Sequence, residues 1–193
     1  MDVLKHFFFQ KLKIWKYDLL SDLKKIGGNV IKKQPVLFTG MGKAIIGTDV
    51  VIGTHHSPFF FSGYSYIEAR QKGSLVEIGD RVWTNNNLAI ICNGSTITIK
   101  NDTLIGLNVE IMDSDFHNIS PLTRRSGESH SASVLIESNV WIGSNVIILK
   151  GVTIGKNSVI ANGSIVSKSI LENVVAGGVP ARIIKAIEDE KNN

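Results

Sequence analysis

The segment Asp113-Ser114-Asp115-Phe116-His117 sets two carboxyl groups and an imidazole at alternate positions. Imidazole can take a proton near neutral pH, and a neighbouring carboxylate can hold its ring in one tautomer. The same spacing suits carboxylates that cap turns, a solvated loop histidine, or an Asp-Asp-His ligand set for a divalent metal. The stretch that follows, 117–133, is rich in Ser, Arg, His and Gly and has no apolar period. It carries Arg124-Arg125, whose guanidinium forks suit a phosphate or carboxylate and which solvent accommodates equally well. His130 lies in the same stretch without a motif of its own, and His55-His56 reads as part of an upstream corner. A second polar interruption, Thr84-Asn85-Asn86-Asn87, breaks an apolar run. Within it Asn87 suits a corner residue. An asparagine ladder stacked at a corner is the competing reading.

The elements that must hold these groups follow from a strict period of six. From Ile136 to Leu171 the chain reads IESNVW, IGSNVI, ILKGVT, IGKNSV, IANGSI, VSKSIL. The first position is aliphatic throughout, and the fifth is small or aliphatic. That period fits neither an amphipathic helix nor an alternating strand. It predicts a parallel β-helix of about five coils, with first-position side chains inside the prism and Gly or Asn at its corners. The pattern reaches upstream through Ile46 and Ile52, through Ile78, Thr84 and Ile90, and, after a slip at Gly94–Thr96, through Ile99, Ile105 and Ile111. It stops at His117 and resumes at Ile136. The gap reads as a loop extruded from the coil, of a length that is uncommon in compact repeats and usually functional.

The run NVWIGSNVIILKGVTIGKNSVIANGSIV, followed by NVVAGGVPARIIK, resembles the hexapeptide-repeat acyltransferases, in particular their maltose and galactoside, xenobiotic and polysaccharide O-acetyltransferase branch. The resemblance covers roughly Gly73 to Ile187. It implies a left-handed parallel β-helix, a homotrimer with each active site between two subunits, and acetyl-CoA as acyl donor with no metal required. It implies that His117, just ahead of the extruded loop, is the general base, with Asp115 as its partner. Asn85, Asp113, Arg124 and Arg125 become candidate contacts to the acceptor. Trp141, Gly143, Ser144, Ala161, Ser164, Lys168 and Arg182 fall along the expected path of the cofactor. Backbone N–H groups at Gly143 and Ser144 are candidates for the thioester oxygen, and Lys168 and Arg182 for the phosphates. Cys92-Asn93 stands where the galactoside enzymes carry acidic residues. The function implied is O-acetylation of a saccharide in surface polysaccharide synthesis. An N-acetyltransferase of nucleotide-linked amino sugars and a non-catalytic β-helix binding module are the alternatives.

Composition and the chain ends complete the reading. The 193 residues carry a net charge of +4, without the concentrated basic face of a nucleic-acid binder. The single Cys92 excludes an internal disulfide and fits the cytosol. No cleavable leader or membrane-spanning stretch is evident. Residues 3–26 interleave apolar side chains with lysines and predict one or two amphipathic helices ended by Gly27-Gly28. They serve as a cap on the first coil or a subunit contact, or as a peripheral contact to the inner face of the membrane. The expected organisation is a helical cap at 1–28, a β-helix at 29–175 with its loop at 117–133, and a tail at 176–193. Within that tail, Arg182-Ile183-Ile184-Lys185 is expected to begin a short helix.

Overall fold

The computed structural model describes residues 3–188. One helix, Val3–Leu20, precedes a left-handed parallel β-helix built from three sheets that form the sides of a triangular prism. The first and third sheets have six strands each, and the second has eight. Each hexad supplies one side and one corner. Ile136, Ile142, Ile148, Ile154, Ile160 and Val166 are completely buried in a single core. Fully burying such a side chain contributes about 1.5–3 kcal/mol, so the stacked isoleucines are the main source of cohesion. Where the fifth position is Ser, its hydroxyl replaces the missing apolar volume with bonds to the chain. Ser158 Oγ donates to Leu171 O at 2.7 Å, and Ser164 Oγ donates to Ala161 O at 2.6 Å.

Corners recur at residues with left-handed backbone, among them Asn87, Asn108, Asn139, Asn145 and Asn157. Asparagine tolerates that conformation and can also bond to the coil above. Asn139 Nδ2 donates to Asn157 Oδ1 at 3.0 Å, and Asn157 Nδ2 donates to Asn173 Oδ1 at 2.8 Å.

The chain ends differ from expectation. Six coils form rather than about five, because Lys24–Gly27, Val30–Lys32 and Val36–Thr39 supply a first coil that carries no regular hexad. The helix stops at Leu20, where Ser21 Oγ bonds Tyr17 O at 2.7 Å. Gly27 lies in a strand and does not end the helix. Its φ is 109°, and a Cβ there would sit 2.2 Å from Ile46 O. The predicted C-terminal helix does not begin at Arg182, and its expected continuation through 189–193 lies outside the described residues. Ala181–Ala186 is a strand, antiparallel to Val174–Gly178. Gly178 and Pro180 turn the chain back onto the last edge of the second sheet, whose N–H and C=O groups a helix would have left unpaired. The tail still caps the solenoid, as a hairpin.

Two excursions leave the prism. One, 53–64, departs from the second sheet, and the other, 113–133, departs from the corner between the third and first sheets.

Candidate active site

The second excursion rests on a rigid base. Asp113 is fully buried, and its carboxylate faces the turn at 92–95. Oδ1 accepts from Asn93 N at 2.6 Å, and Oδ2 accepts from Ser95 N at 3.0 Å and Ser95 Oγ at 2.8 Å. Asp113 is therefore no acceptor contact. It fixes the turn that absorbs the three-residue slip in the repeat. Burial, reinforced by this carboxylate, pushes the neighbouring Cys92 thiol up to about 11. Ser114 and Ser131 close the neck of the loop as an antiparallel bridge.

Beyond the neck, Lys150 holds both arms. Its Nζ lies 3.0 Å from Asp115 Oδ2, as an ion contact without hydrogen-bond alignment, and donates to His130 Nδ1 at 3.1 Å. The expected Asp115–His117 pair is not formed, because the ammonium of Lys150 is the nearer partner for that carboxylate. Sequence reasoning missed Lys150. It occupies an ordinary corner of the hexad ILKGVT, and only the fold brings it beneath residues 115 and 130. Phe116, in left-handed backbone, packs its ring 5.1 Å from the Arg70 guanidinium. The next residue, His117, then projects from the neck. It is exposed, and no described group bonds or pairs with it. The Asp-Asp-His metal set is not assembled, since its three members face a turn, a lysine and solvent.

A polar cleft of about 430 Å³ opens beside the neck, lined by Gln71, Asn93, Gly94, Glu128, Ser129 and Ser131. Asn93 Nδ2 reaches Ser114 Oγ at 3.3 Å and Ser129 Oγ at 3.4 Å, which ties the cleft wall to the loop. The sequence flagged Asn93 only as a departure from an acidic pattern. Arg124 donates to Ile119 O at 3.3 Å within the loop, and Arg125 is exposed.

The asparagine triplet divides into three roles, and Asn87 takes the one expected of it. Asn87 is a corner residue, with φ 58°. Asn85 is half-buried, and its Oδ1 accepts from Asn86 N at 2.7 Å. Asn86, not singled out in the sequence, is fully buried. It receives Thr54 N at 2.9 Å and donates to Thr54 O and Pro58 O at 3.0 and 2.8 Å, pinning the first excursion.

The residues expected along the cofactor path fall into three groups. Trp141 lies on the second sheet in an outward ladder with Leu104 and Trp83, all exposed. Gly143, Ser144 and Ala161 lie at the corner between the second and third sheets. Gly143 N already donates to Ile160 O at 2.8 Å, and Ser144 N donates to Asn162 Oδ1 at 2.7 Å. Neither N–H remains for a thioester oxygen, because coil stacking takes them up. Ser164 is fully buried, with its hydroxyl held between Ala161 O and Gly178 N, so it lies behind the surface a cofactor would touch. Lys168 and Arg182 share a cleft of about 420 Å³ at the C-terminal end of the prism.

Within one chain the two halves of the site do not meet. The loop bearing His117 leaves the corner between the third and first sheets. Trp141 is on the opposite side of the prism, and Gly143–Ser144 turn at a different corner.

The family described as bacterial transferase hexapeptide (six repeats) matches residues 133–168. A provisionally named acetyltransferase of Saccharomyces cerevisiae is 36% identical over 189 residues, 98% of this chain and 86% of that protein. The galactoside O-acetyltransferase of Escherichia coli is 47% identical over 117 residues, 61% of this chain and 57% of that protein. The chain thus matches little more than half the length of that relative. A solved galactoside acetyltransferase in complex with coenzyme A aligns with a TM-score of 0.60 at 29% identity, covering 96% of this chain and 82% of that one.

Proposed function

This chain belongs to the bacterial hexapeptide-repeat transferases, and we propose that it moves an acetyl group from acetyl-CoA to a hydroxyl of a saccharide. One observation carries the reading. His117 is an unengaged imidazole just beyond a fixed neck, and a polar cleft lined by hydroxyl, amide and carboxylate groups opens beside that neck. Its ring takes the proton of the acceptor hydroxyl as that oxygen attacks the thioester carbonyl. The proton then passes to the departing thiolate, so that acetylated sugar and free CoA leave with the imidazole neutral again. Gln71, Asn93, Glu128 and Ser129 bind the remaining sugar hydroxyls. Arg125 meets an acidic group on the acceptor, in keeping with a surface polysaccharide or its precursor.

The functional unit in this reading is a homotrimer. The exposed apolar ladder of Trp83, Leu104 and Trp141 supports a subunit contact, since contiguous apolar surface of this kind marks association. Acetyl-CoA then lies between the loop of one subunit and the Trp141–Ser144 face of the next, with its phosphates toward Lys168 and Arg182.

The experiment is thiol release from acetyl-CoA against a panel of neutral glycans, acidic glycans and nucleotide-linked amino sugars, with mass analysis of the products. An O-acetylated glycan is the expected product. Acetylation confined to the amino group of a nucleotide sugar would overturn the assignment to a hydroxyl. Thiol release with no member of the panel, from a folded protein, would overturn the enzymatic reading.

A further inference from the structure

The helix Val3–Leu20 is apolar on two opposite faces, and the fold uses one of them. Toward the prism, Gln10 is buried and its Nε2 donates to Lys33 O at 3.1 Å and Phe60 O at 2.8 Å. On the same face the ring of Tyr17 lies 4.9 Å from that of Tyr64, and that of Phe7 lies 5.3 Å from that of His55. The opposite face carries Phe8, Leu12, Trp15 and Leu19, at spacings of four, three and four residues that align them in one stripe. They are 60%, 46%, 66% and 72% exposed. Lys11 and Lys16 are exposed on either side of the stripe. Asp18, the sole carboxylate in the helix, points away from it into an ion pair with Lys32.

We propose that this stripe is a docking surface for an anionic lipid bilayer. The charge pattern selects the occupant. Lysines flank an aromatic and leucine face from which negative charge is absent, which is the composition that seats a helix in the headgroup region of acidic membranes. Trp15 supplies a ring of the kind that concentrates at that depth. No described helix is long and apolar enough to cross a membrane, so the contact lies in the plane of the surface. Because the other face is locked to the prism, the helix does not have to detach in order to bind, and the enzyme is carried to the membrane as a rigid body. The proposal stands on the helix alone and is independent of the acetyl-transfer reading.

The test is co-sedimentation of the full chain with two kinds of vesicle, phosphatidylcholine alone and phosphatidylcholine with phosphatidylglycerol. The protein is expected to pellet with the mixed vesicles and to stay in solution with the neutral ones. Leu12→Glu combined with Trp15→Glu should lower the bound fraction by roughly tenfold or more, whereas Leu12→Phe should retain it. Light scattering should give the double variant the same mass as the parent. A parent that remains in solution with both vesicles overturns the proposal. A double variant that dissociates overturns it as well, and makes the stripe a contact between subunits.

Discussion

The two excursions from the prism interrupt the same repeat and serve opposite ends. The first, 53–64, is tied to the coil below and the helix above, with an open cleft of about 500 Å³ between them lined by Lys13, His55, His56 and Phe59. Asn86 pins the excursion from below, His55 packs with the ring of Phe7 from the helix above, and Phe60 packs on His55. Its histidines make ring contacts, His55 against Phe60 at 5.0 Å and His56, itself exposed, against His55 at 3.8 Å. The second, 113–133, is fixed only at its neck, by Asp113, the Ser114–Ser131 bridge and Lys150. It leaves His117 without a partner among the described residues. A break in a solenoid repeat therefore does not by itself mark a site. What distinguishes the two is that the first pairs its histidines with other rings, whereas the second leaves His117 without a partner among the described residues.

The largest expected effect separates the histidines. His117→Ala should lower turnover by about two to four orders of magnitude, with little change in the KM for acetyl-CoA, while His55→Ala leaves turnover near the parent value. Equal losses would erase the distinction between the excursions. Next, Asn86→Ala leaves several buried carbonyls of the first excursion unpaired, at a cost of about 3 kcal/mol. Thermal unfolding should detect this as a lower Tm, with kcat on the folded enzyme unchanged. Lys150→Met frees both arms of the second loop and should reduce kcat about tenfold by misplacing the base. Lys150→Arg should recover part of the loss, and a Tm drop without a kcat drop would leave Lys150 merely structural. The smallest effect concerns Cys92. Its folded pKa is raised to about 11, above an unfolded value of about 8.5. Its contribution to stability is therefore fully present below the unfolded value and is lost as pH rises through the folded one. At pH 9, iodoacetamide should modify the unfolded chain well before the native one.

The hexads made the core legible residue by residue, because each coil side needs one inward aliphatic group and the sequence repeats it without exception from Ile136 to Val166. His117 stood out as a candidate because it lies where that demand ceases, and its role as base came from the resemblance. The first coil was not, since Lys24–Thr39 replace the hexad with irregular strands whose partners lie a full coil away. The terminal strand was misread because Arg182–Lys185 has helical composition, whereas an open sheet edge imposes the opposite choice. Lys150 and the commitment of Asp113 were invisible for a third reason. Both depend on which corner of the prism faces which turn, and no local pattern records it.

The central claim is that His117 of one subunit works with the Trp141–Ser144 face of another, and mixing subunits tests it directly. His117→Ala removes the base, and Ser144→Trp blocks the corner beside Trp141. Each should be a nearly inactive trimer alone. Co-refolded at equal amounts, random assembly pairs an intact loop with an intact face in about a quarter of the sites, one half times one half, and activity should return to about that fraction of the parent. If the mixture stays as inactive as its components, base and cofactor face reside in the same subunit, and the composite site is wrong.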